Sequence, residues 1–208
     1  MMEQYLQPTE IIDWQHPNIL QLAQTLAAEQ ESPESITKAC FEWVRDRIHH
    51  SVDYQMNPVT CRASEVLEYK TGYCYAKSHL LAALLRANGI PAGFCYQRLS
   101  INDKGEPYSL HGLNAVYLPP IGWYRLDPRG NREGVNAQFT PPIEQLAFQP
   151  QLPGEVDFPA IFPEPLPVVI NALQTNQTWD EVLRHLPDIT IDELTTAPGF
   201  AESAISLH

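Results

Sequence analysis

Three features of this 208-residue sequence predict an α+β fold in which helices precede an antiparallel sheet. Apolar residues recur at helical spacing through most of the segment before Pro91. A strongly apolar helix led by Cys74 ends at the stop signal Asn88-Gly89. Strand composition takes over after Pro91 and continues to Asp127. An antiparallel sheet that follows the helices is therefore the simplest arrangement.

Two amphipathic helices are predicted before the cysteine. The first runs from Asn18 to Glu31, where apolar residues follow a helical period. The second has Ser32 as its N-cap and Pro33 at its first helical position, and it extends to about Ile48. Cys40 falls on the apolar face of this second helix, so it is predicted to be a core thiol.

Two less regular stretches lead from these helices to the cysteine. Residues 49–62 contain Pro58 and no helical period, so they are predicted to form a link. Residues 63–69 are predicted to form a short helix. The pair His49-His50 has no ligand pattern nearby, which favours a solvated helix end over a metal site.

Three strands are predicted in the second half, at 93–99, at about 111–118 and at 123–127, with a turn at 102–105. The connection from Pro119 to Gly122 reverses the chain. Depending on where that loop is centred, Asp127 falls opposite residue 112 or residue 114, one to three ladder positions from His111. A hydrogen bond between His111 and Asp127 is therefore within reach.

A proline-rich segment, residues 141–170, follows the strands. Its proline density excludes regular helix and central strand, which predicts an extended arm. Apolar residues such as Phe148 are too numerous for a disordered linker, so the arm should wrap the domain and narrow any cleft that it passes. A capping box at residues 178–181 predicts a last short helix through Leu186, and residues after about Ala197 are expected to fray.

Composition and charge limit the classes of function. The 44% hydrophobic content is typical of a globular protein, and one domain over 1–208 is predicted. No apolar run has membrane-span length and the N-terminus lacks a signal-peptide pattern, so we expect a cytoplasmic location and no membrane partner. The net charge of -12 argues against a nucleic-acid partner. Solubility explains this charge better than a basic substrate does.

The four cysteines, at positions 40, 61, 74 and 95, show neither metal-ligand nor disulfide spacing. No metal and no cofactor is therefore expected. Cys40 and Cys95 lie within apolar periodic segments, as structural cysteines do. Cys61 lies in a loop without a partner pattern, and its role is left open.

Cys74, His111 and Asp127 supply the roles that thiolate acyl transfer needs. Cys74 stands where a helix begins, and the unpaired amides and dipole there favour a thiolate. An imidazole must accept the thiol proton and deliver it to a leaving amine, while a carboxylate holds the ring. Alone, Asp127 is equally typical of a turn, because Asp-Pro-Arg-Gly is a good turn sequence.

Several strings of the sequence carry a family resemblance. They are Gly72-Tyr73-Cys74-Tyr75-Ala76-Lys77-Ser78, Asn88-Gly89-Ile90-Pro91-Ala92, His111-Gly112-Leu113-Asn114-Ala115 and Trp123-Tyr124-Arg125-Leu126-Asp127-Pro128, with Trp43-Val44-Arg45-Asp46 upstream. Together they resemble the transglutaminase-like superfamily over about residues 36–130. The resemblance implies a papain-like α+β fold with a central Cys-bearing helix packed on the sheet. It also implies that Cys74 is the nucleophile, His111 the general base and acid, and Asp127 the orienting carboxylate.

The resemblance leaves the reaction open. Bacterial members of this size resemble peptidases and amidases as much as transferases, and the chain has no acidic loop of calcium-site form. The backbone N–H of Cys74 is the natural first oxyanion donor, with Tyr54 or Gln55 as candidates for the second. We expect hydrolysis of a peptide, protein or small amide through a Cys74 thioester. Amine transfer by the same triad and a catalytically silent binding module are the alternatives.

Overall fold

The computed structural model describes residues 2–196 and the backbone of residues 205–206. A 3₁₀ turn at Glu3–Tyr5 comes first. The helices are α1 Pro17–Ala27, α2 Pro33–Arg47, α3 Ser51–Tyr54, α4 Ala63–Tyr69, α5 Cys74–Ala87, α6 Pro167–Thr175, α7 Trp179–Arg184 and α8 Ile191–Thr196. The strands are β1 His49–His50, β2 Thr71–Gly72, β3 Ala92–Ser100, β4 Tyr108–Leu118, β5 Gly122–Leu126, β6 Val156–Asp157, β7 Ala160–Ile161 and β8 Ile205–Ser206. The segment after about Ala197 that was expected to fray lies outside the described residues, apart from the backbone of β8.

The first two helices match their sequence signals. The Ser32 hydroxyl accepts a hydrogen bond from the Ser35 N–H at 3.1 Å, and Pro33 occupies the first turn, so the predicted start of α2 is confirmed. Helix α1 ends at Ala27, earlier than the predicted Glu31. The chain must turn there, because Ser32 needs extended backbone to cap the next helix.

The link at 49–62 is more ordered than its sequence indicates. It contains the short helix α3 and strand β1, which pairs in parallel with β2. The prediction that His49-His50 form a solvated helix end is wrong. Helix α2 ends before them, because Ile48 turns to extended backbone and the histidines pair with Thr71 and Gly72. His50 is buried, with 7% of its surface exposed.

Helix α5 is the central element and is buried on all sides from Cys74 to Arg86. It packs against α1, α2 and α4 on one side and against β3 and β4 on the other. Its buried polar side chains bond to backbone carbonyls. For example, His79 Nδ1 lies 2.7 Å from the Cys61 carbonyl oxygen. These bonds offset the cost of placing polar groups in the core.

The main sheet has strand order β5-β4-β3-β6 and is antiparallel throughout. His111 lies within β4, three residues after its first residue, because the strand begins at Tyr108 and not at about residue 111 as predicted. Leu118 pairs with Gly122 and Asn114 with Leu126, so the next position places Asp127 across from Leu113. Both predicted registers are wrong, because the loop spans the odd number of residues 119–121. Since side chains alternate, residues 111, 113 and 127 belong to one face of the sheet.

The proline-rich arm contains regular structure that its composition seemed to exclude. Strand β6 pairs with β3 at the sheet edge, where a proline-flanked segment can be accommodated. Helix α6 begins at Pro167, because the first helical position needs no N–H donor. Several apolar side chains of this arm, including Phe158, Ile161, Phe162 and Val169, are buried, while Ile143 is exposed.

Candidate active site

The N-terminus of α5, strand β4 and the beginning of the proline-rich arm enclose a cavity of about 610 Å³. Cys74 and His111 both line it, and each has 6% of its surface exposed. Asp127 is fully buried and binds the ring of His111. The structure therefore brings the three sequence-predicted site residues together.

The Asp127 carboxylate is held by three hydrogen bonds. His111 Nε2 lies 2.7 Å from Oδ2, the Ala147 N–H donates to the same oxygen at 3.1 Å, and the Arg129 N–H donates to Oδ1 at 3.1 Å. Burial raises the pKa of Asp127, but the charge of His111 and these hydrogen bonds outweigh it and lower the pKa. Asp127 is therefore ionised. Its carboxylate can accept a hydrogen bond from a protonated ring nitrogen of His111, but it has no proton to donate.

His111 is held in its protonated form. Burial lowers its pKa, but the charges of Asp127 and Cys74 and hydrogen bonding to both side chains raise the pKa to about 10. Its ring also meets the edge of the Phe148 ring, with the ring centres 4.9 Å apart. With Nε2 bound to Asp127, Nδ1 is the nitrogen left for Cys74. An imidazolium between a thiolate and a carboxylate is the resting arrangement of a thiol-dependent acyl-transfer site.

The position of Cys74 follows from how α5 meets β4. Cys74 is the first residue of the helix after Tyr73, so its backbone N–H has no intrahelical partner. The Tyr75 hydroxyl donates to the Leu110 carbonyl, which ties the helix start to the strand next to His111. Gly112 permits the close approach, because a Cβ there would lie 2.9 Å from Cδ1 of Tyr75.

The site includes two arm residues that sequence reasoning did not identify. Ala147 donates its N–H to Asp127, and Phe148 packs against His111. The only signal in the sequence is the apolar character of the arm, which does not say where the arm docks.

The C-terminal segment forms another part of the cavity wall. The Tyr73 hydroxyl donates to the Trp179 carbonyl, and the Leu110 N–H donates to the Pro187 carbonyl at 2.8 Å. Leu183 and Leu186 from this segment line the cavity. Helix α7 and the loop that follows it thereby hold Tyr73, the neighbour of Cys74, and Leu110, the neighbour of His111.

Lys77 lies three residues after Cys74 and is fully buried. Burial and the charge of Arg129 lower its pKa to about 7. Its Nζ donates to the Arg45 carbonyl at 3.1 Å and to the Ile48 carbonyl, at the C-terminal end of α2. Carbonyls at a helix end favour a cation, so Lys77 joins α5 to α2.

The candidates for the second oxyanion donor do not line the cavity. Tyr54 is 61% exposed and packs on His49, with the ring centres 4.2 Å apart. Gln55 ends α3 in the left-handed conformation and is absent from the lining among the described residues. His50, Val52 and Asp53 line the cavity instead. The direction of α3 decides which of these residues face the cavity. That direction follows from the pairing of β1 with β2, which the sequence does not indicate.

The described residues contain no group of three or more His, Cys, Asp or Glu side chains placed to hold a metal ion. Within the same residues, every helix is too short or too polar to cross a membrane.

Residues 20–128 match the sequence family described as the transglutaminase-like superfamily, which is more than half of the chain. The chain therefore belongs to this superfamily. Comparison with curated proteins gave no significant match.

Solved structures extend the comparison to the fold. A "putative cysteine protease" from Cytophaga hutchinsonii is 22% identical, with a TM-score of 0.51, covering 62% of this chain and 42% of that one. The periplasmic domain of TgpA from Pseudomonas aeruginosa is 21% identical, with a TM-score of 0.45, covering 61% of this chain and 46% of that one. Red sea bream transglutaminase is 15% identical, with a TM-score of 0.39, covering 61% and 26%. This chain thus matches less than half the length of each of these structures.

The predicted fold class is confirmed. Helices precede an antiparallel sheet, and a central helix that begins with a cysteine packs on it, as in transglutaminase-like and papain-like proteins. Membership of this superfamily supports a thiol enzyme and does not fix its reaction type.

Proposed function

We propose that the protein is a thiol-dependent acyl-transfer enzyme that hydrolyses a peptide or other amide bond. The observation that carries the proposal is the placement of Cys74 and His111 on one cavity, with Asp127 bound to the far ring nitrogen at 2.7 Å. Cys74 acts as nucleophile, His111 as general base and acid, and Asp127 as the orienting carboxylate.

The reaction follows from these positions. The Cys74 sulfur attacks the amide carbonyl carbon, and the Cys74 N–H at the start of α5 stabilises the oxyanion. The imidazolium of His111 then gives its proton to the leaving amine, and a thioester remains on Cys74. Water attacks the thioester while His111 takes its proton. The carboxylic acid leaves, and the thiolate of Cys74 and the imidazolium of His111 are restored.

Labelling with iodoacetamide at pH 7 followed by peptide mapping tests the assignment of the nucleophile. We expect rapid modification of Cys74, while Cys40, Cys61 and Cys95 react slowly because none of them lines the cavity and burial raises the pKa of each to about 12. Equal, slow modification of all four would favour the silent binding module and contradict the proposal.

A second experiment separates hydrolysis from amine transfer. The protein is incubated with a glutamine-containing protein and a labelled primary amine, and incorporation of the amine is compared with release of ammonia or peptide. If the wild type incorporates the amine and Cys74→Ala does not, the protein is an amine transferase and the proposal of hydrolysis is wrong. The cytoplasmic location and the single-domain organisation stay predictions.

A further inference from the structure

A cluster of basic side chains surrounds the carboxylate of Asp53 on the cavity wall. Arg129 donates to both Asp53 oxygens, at 2.7 and 3.0 Å. Arg132 Nε lies 3.7 Å from Oδ1, and His50 Nδ1 lies 3.9 Å from the same oxygen. All four residues line the cavity that holds the candidate triad. We call these residues, His50, Asp53, Arg129 and Arg132, the Asp53 cluster.

The Asp53 cluster carries an excess of positive charge. Two guanidinium groups face one carboxylate, and Arg129 takes both oxygens of that carboxylate in a bidentate pair. Arg132 makes only the longer contact and is 52% exposed at its side chain. Its donors are therefore available to a ligand in the cavity. This local charge contrasts with the net charge of -12 of the whole chain.

His50 adds a polar atom that has no hydrogen-bond partner among the described residues. Its Nδ1 is buried and makes no hydrogen bond within the described residues. Burial, together with the positive charges of Arg129, Lys77, His111 and Arg132, lowers its pKa, so the ring is neutral. A buried polar atom without a partner is costly, which is consistent with a site that is completed by a ligand.

The Asp53 cluster lies next to the reacting groups. The Arg129 backbone N–H binds Asp127, and the Phe148 ring contacts both the Arg129 guanidinium, at 5.7 Å, and the His111 ring, at 4.9 Å. His50 packs against Tyr73, the residue before Cys74, with the ring centres 5.6 Å apart. A group bound by this cluster would therefore sit close to the scissile bond.

Two acidic residues also line the cavity, but the described residues show no ion pair or hydrogen bond between them and the cluster. The Glu155 carboxylate accepts hydrogen bonds from the backbone N–H groups of Ser100, Gln151 and Leu152. Asp103 lies in the turn between β3 and β4. The charge of the Asp53 cluster is thus left for a substrate.

We propose that the Asp53 cluster binds a carboxylate of the substrate, with Arg132 as its principal donor. The substrate class is then an amide that carries a carboxylate near the scissile bond, as in a peptide with an acidic residue or a free C-terminus at that position. This inference rests on the proposed function, because it concerns the substrate of the same site. Guanidinium groups suit this ligand since they pair with carboxylates through two parallel hydrogen bonds.

Two alkylating reagents of nearly the same size test the proposal. Iodoacetate carries a carboxylate, and iodoacetamide replaces it with a neutral amide. The rates at which each modifies Cys74 are measured by peptide mapping in the wild type, in Arg132→Gln and in Arg62→Gln. Arg62 is a matched control because its side chain is 47% exposed, it pairs with one acid, Glu10, and it does not line the cavity.

We expect the ratio of the iodoacetate rate to the iodoacetamide rate to fall about fivefold in Arg132→Gln and to be unchanged in Arg62→Gln. Added salt should lower the wild-type ratio and have less effect in Arg132→Gln. Comparing variants separates the effect of Arg132 from that of the His111 charge, which all of them keep. An unchanged ratio in Arg132→Gln would overturn the proposed carboxylate site but not the proposed function. Failure of Cys74 to react with either reagent would overturn the proposed function, and the carboxylate site with it.

Discussion

The cavity has two aspartate–histidine pairs whose histidines are in opposite states. Oδ2 of Asp127 lies 2.7 Å from Nε2 of His111, and the pKa of His111 is raised to about 10. Oδ1 of Asp53 lies 3.9 Å from Nδ1 of His50, and burial and neighbouring cations lower the pKa of His50. Both histidines are buried, so burial does not explain the difference.

The other partners of each carboxylate explain it. The other hydrogen-bond donors to Asp127 are backbone N–H groups. They carry no net charge, so the negative charge of Asp127 is not neutralised and acts on His111. The charge of Asp53 is neutralised by Arg129, whose own positive charge also acts on His50. The charged histidine of this cavity is thus the one whose carboxylate has no arginine partner and which also faces Cys74.

The largest expected effect comes from removing the charged histidine. In His111→Gln, alkylation of Cys74 by iodoacetamide at pH 6 should fall about 10²-fold, because an unpaired thiol is almost entirely protonated there. Mass-spectrometric peptide mapping measures the rate. His16→Asn, which keeps a capping acceptor for α1, is the control and should react like the wild type. A similar rate in His111→Gln would mean that the two side chains are not coupled.

Replacing the carboxylate should have a smaller effect. Asp127→Asn removes the charge that contributes most to raising the pKa of His111, so that pKa should fall and alkylation at neutral pH should slow about tenfold. The histidine ring signals in an NMR titration report the pKa directly. If His111 still titrated near pH 10, the Cys74 charge alone would account for its protonation.

The reverse change is expected at the other pair. Arg129→Gln releases Asp53 and removes the cation that contributes most to lowering the pKa of His50, so that pKa should rise. The same NMR titration detects it. Arg125→Gln breaks a comparable pair with Glu144 and should leave the His50 signal in place. An unmoved His50 in Arg129→Gln would show that burial alone keeps it neutral.

The smallest expected effect is on stability. The folded pKa of His111 is raised above its ordinary value of 6.5, so its contribution to stability is complete below about pH 6.5 and is lost as pH rises towards 10. The unfolding midpoint in guanidinium chloride should therefore drop more between pH 6 and pH 10 in the wild type than in His111→Gln. An equal drop of the unfolding midpoint in the two proteins would contradict the raised pKa of His111.

Local signals in the sequence predict the helices and strands well. The serine cap and proline at the start of α2, the period of the central helix and the Asn88-Gly89 stop are all short-range features. The placement of Cys74 at a helix start and of His111 and Asp127 at adjoining strands follows from them. The family resemblance added the order of the motifs.

Contacts between distant parts of the chain account for the errors. The hairpin register depends on whether the loop has an even or odd number of residues, which the Pro119-Pro120 sequence does not specify. The burial of His50 depends on pairing with Gly72, and the docking of Ala147 on Asp127 joins residues twenty positions apart. No periodic pattern encodes such contacts, because they are decided by packing.

The bond from Ala147 to Asp127 also bears on how the protein is made. The ribosome synthesises Cys74, His111 and Asp127 before the arm residues Ala147 and Phe148 that complete their surroundings. A nascent chain that ends before the arm has the three reactive groups but lacks one of the hydrogen bonds that hold the carboxylate and the ring that packs on the histidine. The carboxylate of Asp127 and the ring of His111 therefore gain these contacts only after residues 147 and 148 have been synthesised.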